Sequence, residues 1–324
     1  MEHKELEEKV REIADARRTI QDVVSAYVVG HQDLVDLIVM GILTGGHVLV
    51  DGMPGTAKTT ISKIVARLIG YRYNRVQGVV DVQPADILGV RIYQPDSHEF
   101  VLQRGPIFAN FLLIDELNRL APKTQSAFIE AMAESQATID GVNYPLENPF
   151  FVIATQNTQE FEGTFPLIEA QRDRFTFSTT LHQLDRESEV ELLRRYRDGN
   201  LVWNDYWQKI NPVLSIEQIQ ALNLYVNEVF VSDTILHYIR DIVIASREHR
   251  DVRMGCSSRG SLALLMGARA SAAIDGRTYV IPDDVQRMVG PVIGHRLILA
   301  QESAIEWSSV DRVINEILEI VEVA

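Results

Sequence analysis

Lys58 and Thr59 close the run Gly52-Met53-Pro54-Gly55-Thr56-Ala57-Lys58-Thr59, spaced as a phosphate-binding loop with Ala57 where the last glycine usually stands. In such a loop successive backbone N–H groups and a helix N-terminus converge on one point, which suits a polyphosphate. Lys58 adds a point charge for the β- and γ-phosphates of ATP, and Thr59 offers a hydroxyl to Mg²⁺. The cradle runs on to Thr60, and Ala57 adds only a methyl group, so the loop still closes. A second apolar run, Phe111-Leu112-Leu113-Ile114, ends in Asp115 and Glu116. Asp115 can hold Mg²⁺, directly or through water, and Glu116 can orient and deprotonate an attacking water. Adjacent strand residues point to opposite faces, so two acids in sequence predict two roles. Asn157 follows a third run, Phe150-Phe151-Val152-Ile153-Ala154, and can reach the γ-phosphate or that water; the other reading is a turn-forming Asn.

Two cations complete the set. Arg174, in Arg172-Asp173-Arg174-Phe175, stands beside an apolar anchor, where it serves a partner subunit's phosphates or forms a surface ion pair with Asp173. Spacing alone does not choose. Arg259, in Ser257-Ser258-Arg259-Gly260-Ser261, opens a helix and is the other candidate. Cys256 beside it reads as a packing residue, since no His lies close in sequence.

These residues need strands to deliver them. His47–Asp51 reads as a buried strand leading into the loop, and Ile61, Ile64, Val65, Leu68 and Ile69 give the following helix one apolar side, with Gly70 as its cap. Strand candidates at 47–51, 111–115 and 150–154 alternate with helices up to about residue 180. That pattern predicts an α/β fold, a P-loop NTPase αβα sandwich with a parallel sheet. Helices at 5–28 and 32–44 precede it. Beyond Leu184 the segments 186–197, 215–229, 232–249, 258–275 and 282–289 are amphipathic, which predicts an all-α lid domain over 185–324 after a core over 1–184. Two hairpins interrupt the core, in inserts near 85–105 and 136–146. The second turns at Asp140-Gly141, the preferred type I′ pair.

Length gives room for about two domains. The net charge of −14, without a Lys/Arg run, argues against nucleic acid as the main partner. A single cysteine excludes an intrachain disulfide and fits a reducing compartment. The sequence shows no signal-peptide core and no segment of bilayer-spanning length, so a cytoplasmic protein is expected. Beyond the Mg²⁺ site no His/Cys/Asp cluster has metal-ligand spacing.

Together these motifs resemble the AAA+ ATPases, and within them the MoxR family, from about Val29 to Leu299. The resemblance rests on Gly30-His31-Gln32, the loop at 52–59, Gly105-Pro106-Ile107-Phe108-Ala109-Asn110, and Asp115-Glu116-Leu117-Asn118-Arg119. It continues through Pro122-Lys123-Thr124-Gln125, Glu130-Ala131-Met132, Asp140-Gly141, Ala154-Thr155-Gln156-Asn157, Glu169-Ala170-Gln171, Asp173-Arg174-Phe175, Ser258-Arg259 and Pro282-Asp283-Asp284-Val285. It implies a hexameric ring with ATP bound between subunits. Lys58 and Thr59 would belong to Walker A, Asp115 and Glu116 to Walker B, Asn157 would be sensor 1, Arg174 the trans arginine finger and Arg259 sensor 2. The hairpins would be the helix-2 insert and the pre-sensor-1 hairpin, projecting toward the pore and a protein client. The family implies chaperone-like work with partners carrying a von Willebrand A domain, in assembling complexes or inserting metal cofactors, and a lid that closes over nucleotide. Two positions depart from its pattern: Thr158 stands where Pro is usual, and Arg172 replaces an apolar residue, placing a second arginine near Arg174. The rival readings are a nucleic-acid motor, a metal-chelatase motor subunit and a nucleotide-gated scaffold.

Overall fold

The computed structural model describes residues 3–53, 55–157, 162–199, 210–300 and 308–323. Helices α1 (His3–Tyr27) and α2 (Gln32–Thr44) lead into β1 (Val48–Gly52), α3 (Lys58–Leu68), β2 (Tyr73–Gln77) and α4 (Pro84–Leu88). The hairpin β3 (Gly89–Gln94) and β4 (Glu99–Arg104) follows, then β5 (Phe111–Asp115), α5 (Pro122–Glu134) and the hairpin β6 (Gln136–Ile139) and β7 (Val142–Pro145). β8 (Phe151–Gln156), α6 (Glu169–Arg172) and β9 (Phe177–Leu181) complete the first part, and α7 (Arg186–Arg197) follows it. Helices Ile216–Asn227, Asp233–Glu248, Ser258–Ile274, Pro282–Ile293 and Ser308–Ile320 make up the lid, with a short antiparallel pair, Val252–Met254 and Ile298–Leu299.

The five-stranded sheet has the order β2-β5-β8-β1-β9, and every pairing in it is parallel. The three apolar runs are its interior strands. The edges, β2 and β9, escape an apolar reading because each keeps few buried positions: Val76 in β2, Phe177 and Leu181 in β9. Successive residues face opposite sides. Phe111 and Leu113 of β5 join the core with α1, α2 and α3, while Leu112 and Ile114 join the core with α5, Phe175 and Leu167.

The first of these cores runs without a break from α1 and α2 into the lid, where Leu222, Ala268, Ile274 and Val289 belong to the same cluster. Buried Asp36 of α2 marks the join. It accepts both ends of the Arg17 fork, the Gln21 amide at 2.7 Å, and Arg287 from the helix Pro282–Ile293 at 2.7 Å. The lid thus packs on α1, α2 and the β9 edge. Among the described residues no lid side chain hydrogen-bonds the loop 52–59.

The hairpins form as read. β3 and β4 pair from Gly89↔Arg104 to Gln94↔Glu99, and Val90, Ile92, Tyr93, Phe100 and Val101 stay exposed on them. At the tip of β6 and β7, Asp140 and Gly141 both have positive φ, as a type I′ turn requires.

Candidate nucleotide site

Because the strands are parallel, the C-terminal ends of β1, β5 and β8 lie side by side, the place where open α/β sheets bind ligands. The loop leaves β1 there. Gly52 has φ +148°, and a Cβ on it would stand 2.7 Å from the carbonyl oxygen of Leu181, so no side chain fits. Ala57, the N-cap of α3, takes a left-handed conformation at φ 55°. That costs an alanine roughly 1 kcal/mol, which a glycine would avoid. Lys58 folds back so that Nζ donates to the carbonyls of Gly52 at 2.7 Å and Met53 at 3.1 Å. Burial lowers its pKa, against the opposing charges of Asp115, Asp51 and Glu116. Thr56 Oγ1 donates to the Met53 carbonyl at 3.0 Å, and Thr60 lies half-buried on the first turn of α3. Pro54 and Thr158 fall outside the described residues.

Thr59 Oγ1 donates to Asp115 Oδ2 at 3.4 Å. Two hard oxygen ligands this close fit the needs of a single Mg²⁺. The same carboxylate receives Arg75 at 2.7 Å on Oδ2 and the Thr155 hydroxyl at 2.7 Å on Oδ1. Glu116 does not continue the pleat. β5 ends at Asp115, and Glu116 has φ 57°, capping the 3-10 turn Leu117–Arg119. The two acids diverge because of this left-handed residue, not because of strand alternation. The N–H of Glu116 donates to Thr155 Oγ1 at 2.9 Å, and its carboxylate receives Gln77 at 3.1 Å and Arg119 at 3.2 Å. Asn157 is buried, its N–H and carbonyl both engaged by the Asn118 amide.

The arginines lie elsewhere. Thr176 donates its N–H to the carbonyl of His47, at the start of β1, so the turn before β9 sits at the opposite end of the strands from the loop. Five strand residues separate the two ends, roughly 15 Å. Arg172 turns toward its own chain: its Nε is buried without a partner, and its charge acts on Asp51 and His295. Arg174 is partly exposed, and its side chain pairs with no described residue. Its alternative partner, Asp173, is taken by Arg296 at 2.7 Å and by the Ser257 hydroxyl at 3.1 Å. Ser257 caps the helix that carries exposed Arg259, so Arg174 and Arg259 share one edge of the molecule.

The family described as ATPase family associated with various cellular activities (AAA) matches residues 47–177, and the AAA lid domain matches residues 244–317. YeaC, an uncharacterised protein of Bacillus subtilis (strain 168), is 38% identical over 93% of this chain and 92% of its own length. The chaperone MoxR1 of Mycobacterium tuberculosis is 38% identical over 96% of this chain and 82% of its own. The chain belongs to the MoxR family of AAA+ ATPases. A crystal structure of a candidate ATPase from Cytophaga hutchinsonii ATCC 33406 has the same fold, with a TM-score of 0.89 and 36% identity over 100% of this chain and 99% of that one.

The motifs of this MoxR-family ATPase do not include Arg75 and Gln77, which the fold brings to the acids. Arg75 and Gln77 lie on β2, where Gln77 stands opposite Asp115 in register. A polar strand paired with an acid-tipped one is the signal that could have found them. His31, at the start of α2, is near enough for the Lys58 charge to join burial in lowering its pKa. Among the described residues the lid also holds a three-residue group, His249, Asp251 and Glu316, whose ligand atoms lie within 4.8 Å of one another. Sequence spacing concealed it, because Glu316 is 67 residues from His249. Arg312 bonds Asp251 at 2.9 Å and approaches Glu316 at 3.4 Å, so these acids already have a cation. Asp251 N–H donates to His249 Nδ1, which leaves the hydrogen of the neutral ring on Nε2, facing Glu316. The group is thus a hydrogen-bonded cluster closed by the Arg312 cation. No described helix is long and apolar enough to cross a membrane.

Proposed function

We propose that this MoxR-family ATPase binds ATP between the loop 52–59 and the acids of β5, hydrolyses it at the junction of two copies, and uses the cycle to remodel protein assemblies. The observation that carries this reading is the 3.4 Å separation of Thr59 Oγ1 and Asp115 Oδ2, with Lys58 folded into the same loop. Thr59 and Asp115 would hold Mg²⁺, which neutralises phosphate charge as it develops. Lys58 would exchange its two carbonyl partners for phosphate oxygens. Glu116 orients and deprotonates the attacking water, and Asn157 fixes that water's position from the neighbouring strand. Arg174 and Arg259 of one subunit answer the developing charge on the ATP of the next, because their own loop lies at the far end of the strands.

The resemblance supplies the rest: a ring of six, a protein client, and a partner with a von Willebrand A domain. The exposed Ile92, Tyr93, Phe100 and Val101 of the first hairpin support a protein client, since monomers seldom leave such a surface uncovered. The net charge of −14 favours protein over nucleic acid. We place the protein in the cytoplasm, its lone thiol buried, and divide the chain after residue 184.

The test is Glu116→Gln. Phosphate release should fall by at least about 10²-fold, as loss of a general base requires, while ATP stays bound. The ATP-trapped ring, sized and used as bait, should elute as six copies and retain the client. Unchanged phosphate release would remove Glu116 as the base. A trapped species that remains a monomer would remove the shared site.

A further inference from the structure

Arg296 ends the 3-10 turn Gly294–Arg296, directly after the lid helix Pro282–Ile293. Its side chain is only 4% exposed. Nε donates to Asp173 Oδ1 at 2.7 Å. One terminal nitrogen donates to the Thr176 carbonyl at 3.2 Å and to the Val292 carbonyl. The other donates to the Phe175 carbonyl at 2.7 Å and the Asp173 carbonyl at 3.4 Å. A guanidinium has five N–H donors, and each finds an acceptor here. His295 contributes a further contact, Nε2 to the Phe175 carbonyl at 3.0 Å. Burial and the adjacent Arg296 charge hold that imidazole neutral, with its pKa well below the ordinary value. Asp173 meanwhile receives the Ser257 hydroxyl, from the residue that caps the helix of Arg259.

The lid therefore grips residues 173–176 by side chain and backbone together. Apolar packing alone would join lid to core more cheaply, because a buried guanidinium must recover its whole hydration from a few fixed acceptors. What such a fork supplies instead is direction: five donors in a rigid plane tolerate little displacement of the groups they hold. Within that gripped turn, the side chain of Arg174 pairs with no described residue. A rigid base with an unpaired cationic tip is how a protein readies a charge for a group arriving from outside.

We infer that Arg296 is a positioning residue for Arg174, and through Asp173 and Ser257 for Arg259, so that the lid of one subunit sets the cations offered to the ATP of its neighbour. The inference rests on the reading of Arg174 as acting in trans. Any shift of the lid would then be felt at the neighbour's phosphates before its own.

Steady-state phosphate release by the full-length ring tests it. Arg296→Gln should lower kcat by roughly 10²-fold, the scale of misplacing a catalytic group by about an ångström, with KM for ATP nearly unchanged. Arg296→Lys should recover little, because an ammonium cannot reproduce the fork. The deciding arm mixes subunits. Arg296→Gln with Lys58→Ala should regain activity, since the sound loops of the first meet the sound turns of the second. Arg174→Ala with Lys58→Ala should do the same. Should only the Arg174 mixture recover, the positioning role falls while the trans reading stands. Should neither recover, the trans reading falls and takes the inference with it. If Arg296→Gln does not fold, Asp173→Asn, which leaves the backbone contacts in place, should lower kcat by about 10-fold at constant KM. Wild-type kcat in either variant overturns the inference.

Discussion

The loop 52–59 with its two acids and the turn 172–176 with its arginine lie at opposite ends of the same parallel strands, and they are assembled in opposite ways. At the loop end the polar groups satisfy one another: Lys58 on the carbonyls of Gly52 and Met53, Thr59 and Arg75 on Asp115, Gln77 on Glu116. On the reading proposed above, Lys58 would exchange its carbonyls for phosphate oxygens and Thr59 and Asp115 would take up the cation, so this end would rearrange on binding. At the arginine end the backbone is tied down by Arg296 and His295 from the lid, and the cationic tip of Arg174 pairs with no described residue. One end trades partners. The other waits, already held.

The sharpest way to break that contrast is Arg174→Ala. If the waiting end acts only on the transition state, kcat should fall by about 10³-fold or more while ATP binds as before. Phosphate release and ATP affinity measured on the same preparation decide it. A loss confined to affinity would mean that Arg174 is part of the binding pocket, and the two ends would no longer differ in kind.

The contrast also explains what could be read from sequence. The loop end is nearly contiguous: a strand, eight residues and a helix carry most of it, and the acids end a strand that is apolar throughout. Its failures were local. Glu116 leaves the strand through a left-handed residue, and the polar edge strand with Arg75 and Gln77 has no apolar run to announce it. The arginine end is different. Arg174 and Arg259 stood out by their neighbours, but the groups that fix them are remote, Asp173 and Arg296 being 123 residues apart and Asp173 and Ser257 84 apart. No periodicity encodes a pairing at that range. For the same reason α1 and α2 read as a prelude to the core, whereas their apolar faces close against the lid.

Asp36 is where the two ends are tied to a common body. It sits on α2, which leads into β1 and the loop, and it binds Arg287 of the helix that leads to Arg296. Asp36→Ala would leave Arg17 and Arg287 facing each other without their shared acceptor. Removing one partner from a buried ionic group costs about 3 kcal/mol, because the remaining charges lose their compensation. Urea unfolding should show that loss. A change below about 1 kcal/mol would class the cluster with surface ion pairs and leave the loop and the lid mechanically independent.

Asp51, the residue before Gly52, gives the smallest effect and tests whether the loop end is built to trade partners. Burial raises its pKa to about 6, against the Gln156 amide, which donates to Oδ2 at 2.9 Å, and the charges of Lys58 and Arg172. Its Oδ1 is buried without a partner. Because the folded-state pKa lies above the ordinary 3.8, the native state holds this proton more tightly than the unfolded chain does. Stability from this group is therefore present below pH 3.8 and is lost as pH rises through about 6. Above that, the ionised carboxylate costs at most about 3 kcal/mol. Asp51→Asn keeps the size and the Gln156 contact but cannot ionise. Its stability advantage over the wild type should widen between pH 4 and 7 and then stay level, as followed by denaturant midpoints across that range. A gap that does not change with pH would mean that Asp51 is already a settled ion pair with Lys58 or Arg172. The loop end would then be held as firmly as the backbone of the arginine end, and the difference in construction between them would disappear.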